Sequence, residues 1–353
     1  MKRPRLKRTL ERIDTAEGDV LLLRSSGDAI TITAPDRDER ALLGALDGSH
    51  SLAELERRFA DAAGAIGQMR ALGMIEDAAE FEQLPASELE RFDRQLRYFS
   101  DVAEDGLSPA DCQTQLRDAK VAVLGVGGLG GRTALELACI GIGELRLADG
   151  DRVETSNLNR QIQFSEADVG ALKVEATARR LRAFNSQTRV EACARQLESQ
   201  ADVAEFIAGA DVVVDAADWP PQEIERICNA ACVEAGIPYI SMSHEPPIAR
   251  IGPFYVPGVT GCHCCEQIAI KRDYPLYETV IEQLRESGRS AAPTLGPACG
   301  LTGGLVAIEV MHFLTGLVEP ASLGRAHVYD LRTMEVQRQE ITRESSCPVC
   351  AHL

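Results

Sequence analysis

The sequence predicts an α/β chain built on a doubly wound, mostly parallel sheet, preceded by a small α+β unit. Two observations carry this. From residue 120 onward short apolar runs alternate with helical patterns, and a glycine-rich turn joins the first run to the first helix. Before residue 82 the pattern differs: a strand hairpin is followed by three short helices. A length of 353 residues leaves room for about two folded units. With 45% hydrophobic and 26% charged residues the composition is that of a globular protein, which excludes disorder and low-complexity repeats.

In the first unit, Leu21–Leu23 and Ile30 with Ile32 read as strands around a turn at Ser25-Ser26-Gly27-Asp28. Ala41, Leu42, Leu43, Ala45 and Leu46 form an apolar helical face that stops at Asp47-Gly48. Ser51 opens the next helix, with Glu54 completing a capping box. A third helix around Ile66–Leu72 ends at Gly73, and Met74-Ile75 returns as a short strand. The unit spans 1–82 and is winged-helix-like. The basic start, Lys2, Arg3, Arg5, Lys7, Arg8 and Arg12, reads either as a frayed tail or as a surface for an acidic peptide.

The second unit, 83–353, begins with the charged run Arg91-Phe92-Asp93-Arg94-Gln95. Strands are expected at 120–124, 145–148, 189–193, 212–215 and 239–242. Helices are expected at 132–139, 173–184, 201–208 and 222–234. The longest uncharged run, Ser290–Ile308, carries several Gly and Pro residues and reads as a loop leading into a helix near Gly300, with no membrane span. The basic start has no apolar stretch behind it, so no signal peptide is expected and the location reads as cytoplasmic. A formal charge of −17 repels polyanions, so a nucleic-acid partner is not expected.

The chemistry concentrates at one edge of the expected sheet. Gly125, Gly127, Gly128 and Gly130 lie between a strand and a helix, where backbone N–H groups can approach a phosphate. Asp149 ends the second strand, in position to bind ribose hydroxyls in a Rossmann-like arrangement. Together these indicate a nucleotide, and a dinucleotide oxidoreductase shares them. Asp151, Asn157, Arg160 and Lys173 then supply a carboxylate and donors suited to the concentrated charge of a triphosphate. Asp215 and Asp218 end a further strand, and one of them could hold magnesium. Cys262, Cys265, Cys347 and Cys350 form two Cys-x-x-Cys pairs, a pattern that points to a tetrahedral zinc site, with His263 and Cys264 as substitute ligands.

On these motifs, residues 91–350 resemble the ThiF/MoeB family of ubiquitin-activating-type adenylating enzymes. The resemblance implies that Asp149 binds ribose, that Arg160 and Lys173 hold the phosphates of ATP with support from Asp151 and Asn157, and that Asp218 binds Mg2+. It implies that Cys262, Cys265, Cys347 and Cys350 hold a structural Zn2+. It also implies a homodimer in which Arg94 is an arginine finger donated across the interface. The reaction implied is attack of a substrate carboxylate on the α-phosphate of ATP, giving an acyl-adenylate and pyrophosphate. Glu266–Pro297 contains no cysteine, and Cys299 sits at the start of the following helix, so attack on the adenylate by a group of the substrate is expected rather than an enzyme thioester. Lys271–Arg289 reads either as a mobile cover or as a surface helix.

The first unit resembles PqqD-like precursor-recognition domains, which take up a leader peptide as an added strand. A DNA-binding winged helix is the competing reading, with Arg70 alone as a basic residue on the third helix. The pairing resembles enzymes of pantocin-type biosynthesis, where glutamate side chains of a precursor are activated and cyclised, with microcin C-type biosynthesis as its neighbour. The expected activity is therefore ATP-dependent adenylation of a carboxylate in a ribosomally made peptide. Activation of the C-terminus of a peptide or of a ubiquitin-like sulfur carrier is the alternative.

Overall fold

A computed structural model describes residues 1–24, 26–103, 107–286 and 293–353, with the backbone alone for 284–286. The chain divides into two compact units, Met1–Thr114 and Gln115–Leu353. The expected turn at 25–28 is described from Ser26 onward; Ser25 lies outside the described residues.

In the first unit β1 (Pro4–Leu6) is followed by β2 (Glu11–Asp14), β3 (Val20–Leu23) and β4 (Ala29–Ile32). Strands β2, β3 and β4 form an antiparallel sheet in that order. Side chains alternate across it: Val20 and Leu22 are fully buried, while Ala29 and Thr31 on β4 are exposed. Helices α1 (Arg37–Ala45), α2 (Leu52–Arg58) and α3 (Ala62–Ala71) cover the apolar face with Leu42, Leu43, Leu55, Phe59 and Ile66. Both α1 and α2 start in capping boxes, Asp36 with Glu39 and Ser51 with Glu54.

The basic start is not a frayed tail, because β1 pairs antiparallel with β5 (Ile75–Asp77). Glu76, buried on β5, meets Arg5 at 2.6 Å and Arg8 at 3.5 Å and accepts from the Ser100 hydroxyl at 2.7 Å. Ser100 lies on α5 (Asp93–Val102), which follows α4 (Ala86–Arg91); Arg8 also pairs with Asp93 at 2.6 Å. These links tie α5 to the strands before it, and the division into compact units falls within α6 (Pro109–Asp118).

The second unit holds one eight-stranded sheet. In chain order its elements are β6 (Lys120–Leu124), α7 (Gly128–Ile140), β7 (Glu144–Ala148), α8 (Lys173–Phe184), β8 (Arg189–Cys193), α9 (Gln200–Ile207), β9 (Val212–Asp215), α10 (Ile224–Ala235) and β10 (Tyr239–Glu245). Then come β11 (Ile248–Tyr255), α11 (His263–Asp273), α12 (Tyr277–Glu286), α13 (Gly296–Thr315), β12 (Arg325–Asp330) and β13 (Glu335–Glu340). The strand order is β13-β12-β11-β10-β9-β6-β7-β8, parallel from β10 to β8 and antiparallel beyond. Val121, Val123, Val212, Val213 and Val214 are fully buried, as expected of parallel strands covered on both faces. From β6 the chain winds outward in both directions, to β7 on one side and β9 on the other, which opens a crevice at their C-terminal ends.

The run Ser290–Ile308 mostly belongs to α13, a helix long and apolar enough to cross a membrane by length and composition. Here it packs against α7, with Gly303 at the contact: a Cβ there would lie 2.9 Å from the Arg132 side chain and 3.1 Å from the Thr133 nitrogen. Gly303 is therefore a spacer within a helix, and Gly300 and Gly304, which lie in the same helix, are not loop residues either. Residues 290–292 of that run, and 287–289 of the expected cover, lie outside the described residues; the remainder of the cover is the end of α11 and α12.

Removing a partner from a buried ion pair costs roughly 3 kcal/mol, whereas an exposed pair is worth under about 1 kcal/mol. Glu76→Gln is thus expected to shift the urea midpoint of the first unit strongly, and Glu82→Gln, at the exposed pair with Arg3, barely. Equal shifts would contradict the buried role of Glu76.

Candidate functional site

The crevice is built from the turn after β6. Gly125 has φ +79°, and a Cβ on it would lie 2.7 Å from the Ala216 oxygen. A Cβ on Gly130 would lie 2.0 Å from the Gly125 oxygen, so the first turn of α7 is pressed onto the loop that precedes it. Gly127 is the N-cap of α7 and offers no side-chain acceptor, which leaves the first N–H groups of the helix to an anion. Gln163 fixes the loop from the other side: its amide donates to the Val126 oxygen at 2.8 Å and the Gly127 oxygen at 3.2 Å, over Gly131. Gln163 carries no signal in the sequence, since a glutamine in a loop is commonplace until its burial is known.

Asp149, at the end of β7, is buried. Its two oxygens accept from the Val126 nitrogen and the Asp151 nitrogen, each at 2.9 Å, and burial pushes its carboxyl up from the usual range. Asp149 thus clamps the glycine turn to the β7 loop while each oxygen keeps a lone pair for a hydroxyl. Asp151 extends the network: it pairs with the Lys173 ammonium at 2.7 Å and accepts from the Gln196 amide at 2.9 Å. Lys173, the first residue of α8, is nearly buried. Asn157 is buried and accepts from the Glu154 nitrogen at 2.9 Å, which shapes the segment leading to Arg160.

Arg160 lies with its stem 3.4 Å from where a Gly128 Cβ would be, beside the α7 N-terminus. Its guanidinium donates to the Ser156 oxygen at 2.9 Å and the Asn159 side chain at 3.0 Å, both neutral. It forms no ion pair among the described residues, so its charge is open to an anion. Asp218 is exposed in the loop after β9 and lines a cleft together with Gly125, Asp149, Asp151, Gln196 and Trp219. Arg94 is exposed on α5 in the first unit. Cys299, buried in the first turn of α13, adjoins Gly128.

A second constellation is built by α11 and the chain's last residues. Cys262 is the N-cap of α11 and Cys265 lies in its first turn; Cys347 and Cys350 come from the C-terminal turn. All four are buried, and their sulfurs lie within 4.8 Å of one another, with separations of 3.7 Å (Cys262 to Cys347), 3.9 Å (Cys262 to Cys265) and 3.4 Å (Cys265 to Cys350). A tetrahedral ion with metal–sulfur bonds of about 2.3 Å requires sulfurs about 3.8 Å apart. The four thiols therefore fit a metal ion. Cys264 and His263 are outside this group.

Residues 92–349 match the ThiF family. The chain belongs to it. The sulfur carrier protein ThiS adenylyltransferase of Escherichia coli K12 is 33% identical over 262 residues, 74% of this chain and 94% of that protein. The solved structure of E. coli MccB with ATP matches at TM-score 0.75 and 27% identity, covering 98% of this chain and 99% of that one. The microcin C7 biosynthetic enzyme MccB in complex with N-formylated MccA matches at 0.76 and 26%, covering 98% and 99%. PaaA matches at 0.75 and 26%, covering 96% and 100%. The chain is thus an ATP-dependent adenylating enzyme of the ThiF family, with MccB and PaaA as structural neighbours.

Two outcomes follow, one from the crevice and one from the strand end beside it. Gly130→Ala forces the helix off the Gly125 oxygen and is expected to weaken ATP binding at least tenfold in a fluorescent-nucleotide titration, with helix content unchanged; unaltered affinity would contradict the cradle. Burial also pushes Asp215, at the end of β9, up to about 7. A carboxyl whose folded pKa is raised stabilises the fold below its unfolded pKa near 4, and that contribution is lost as pH rises toward 7. Wild-type unfolding free energy is therefore expected to fall by a few kcal/mol from pH 4 to pH 7 relative to Asp215→Asn; parallel profiles would contradict this.

Proposed function

We propose that this enzyme adenylates a carboxylate of a ribosomally made precursor peptide whose leader is held by the first unit. The observation that carries the reading is coverage. The ThiS adenylyltransferase aligns with 74% of the chain, whereas MccB and PaaA structures, including MccB bound to MccA, match 96–99% of it. Residues 1–91 precede the ThiF match and so distinguish this chain from the carrier-activating relatives. In the first unit, β4 is an edge strand with exposed Ala29 and Thr31, a template to which a leader can add by main-chain hydrogen bonds. Activation of peptide side chains, leading to cyclisation, is the preferred chemistry within this reading.

In the proposed mechanism Asp149 accepts from the ribose hydroxyls and the α7 N-terminus receives the phosphates. Arg160 donates to them directly, and Lys173 exchanges part of its pairing with Asp151 for phosphate oxygen. Arg94 reaches the site of the partner subunit in a homodimer. Asp218, exposed at the cleft, would hold Mg2+, which would offset triphosphate charge. A carboxylate oxygen of the peptide attacks the α-phosphorus, the bond to the β-phosphate oxygen breaks, and pyrophosphate leaves. The enzyme's contribution is alignment and charge stabilisation, with no enzyme nucleophile. The four-thiolate group would hold Zn2+ as a structural ion joining α11 to the C-terminal turn.

Pyrophosphate release with the small peptides encoded beside the gene tests this. Release is expected only with a leader-bearing precursor; removing the leader lowers kcat/KM at least tenfold, and Arg160→Ala or Lys173→Ala lowers kcat at least a hundredfold. Release driven instead by a carrier protein ending in Gly-Gly would replace the peptide reading with sulfur-carrier activation. One equivalent of zinc per chain is expected by elemental analysis, and Cys350→Ser should lose it and lower Tm. Retention of metal by that variant would contradict the four-cysteine site.

A further inference from the structure

On the face of the sheet covered by α10 and α11 lies a polar cavity of about 210 Å³. It shares no lining residue with the nucleotide cleft. Its wall combines Asp215 at the end of β9 and Ser241 within β10 with Arg250, Glu225, His263 and Glu266. Tyr239 and Tyr255, stacked with ring centroids 4.7 Å apart, also line it.

The polar groups of this cavity are unevenly satisfied. Glu266 is buried and fully engaged, with Arg250 on one oxygen and the Tyr255 hydroxyl at 2.6 Å on the other. The Tyr239 hydroxyl donates to Asn229 at 2.7 Å. His263 lies 3.8 Å from both Glu225 and Glu266. Asp215 is 4% exposed, yet its Oδ1 has no partner, and neither has the buried Ser241 hydroxyl oxygen. A buried acceptor without a donor costs about 1–3 kcal/mol, more for a charged group, so such atoms in a cavity mark a place for a ligand or water. Once Arg250 is assigned to Glu266, two carboxylates remain, Asp215 and Glu225, with no further guanidinium or ammonium among the described residues of the wall to offset them.

We propose that this cavity binds a small organic cation bearing N–H donors, a guanidinium or primary ammonium group. The donors would satisfy Asp215 and Ser241, the charge would be balanced by Asp215 and Glu225, and the tyrosine rings would supply an aromatic wall suited to a cation. A bare metal ion fits less well: among the described residues the one group of His, Cys, Asp and Glu close enough to chelate is the four-cysteine cluster. The carboxylates here are spread around a cavity, which suits a ligand with several donors pointing in different directions. This assignment is independent of the peptide reading.

Calorimetric titration of the full-length protein with methylguanidinium chloride, at pH 8 and constant ionic strength, tests it. One saturable site is expected, with none for tetramethylammonium, which has the charge but no N–H. Glu225→Gln, at an exposed side chain that leaves folding intact, is expected to lower affinity at least threefold, and Asp215→Asn at least tenfold. Absence of saturable methylguanidinium binding, or wild-type affinity in Glu225→Gln, overturns the proposal even if Asp215→Asn does not fold. An acetyl-Gly-Arg-Gly-amide arm separates the sources: tighter binding than methylguanidinium assigns the side chain of a peptide, and equal or weaker binding a free cation.

Discussion

The large unit depends on one close approach, the Gly130 Cα against the Gly125 carbonyl. A side chain at Gly130 would lift α7 away from the end of β6 and remove the helix N-terminus from the crevice, whereas one at Gly125 would meet the Ala216 carbonyl of the loop after β9. The same contact decides what surrounds it. Because the turn is so tight, Val126 presents its nitrogen to Asp149 and its carbonyl to Gln163, and both clamps exist only with the loop in this shape. Gly303 repeats the device one layer away, where close contact of α13 and α7 brings Cys299 beside Gly128.

Charge is arranged around that turn so that an anion is favoured locally on a molecule whose net charge is −17. Arg160 is held by neutral acceptors, and Lys173 is held by a single carboxylate that Gln196 also contacts. Both cations are therefore positioned in advance without being fully neutralised. Such preorganisation is how a site of fixed dipoles and charges lowers the barrier to transfer at phosphorus. The overall negative field works the other way on long polyanions, which fits a small nucleotide as the bound phosphate compound.

Much of this was legible in the sequence, for physical reasons that differ by element. Strands β6 and β9 and helix α8 were readable to the residue, since buried parallel strands leave uninterrupted apolar runs and α8 carries a clean amphipathic stripe. The antiparallel strands β11, β12 and β13 were not, because β13 is exposed along its whole length and β11 is flanked and interrupted by Pro247, Gly252 and Pro253, which imitate loop signals. The β1 to β5 pairing escaped for another reason: it joins residues 4–6 to residues 75–77, and no local pattern reports a partner that far along the chain. In the site, glycines and charged residues announced themselves by type and order, whereas Gln163 and Gln196 depend on geometry alone.

One step is central to the proposed function: in the crevice a carboxylate oxygen of the substrate joins the α-phosphorus of ATP. Isotope transfer tests it most directly. With 18O in the substrate carboxylates, turnover is predicted to place one 18O atom in the AMP released. Label appearing in inorganic phosphate alongside ADP, with none in AMP, would mean attack at the γ-phosphorus and would contradict activation at the α-phosphorus.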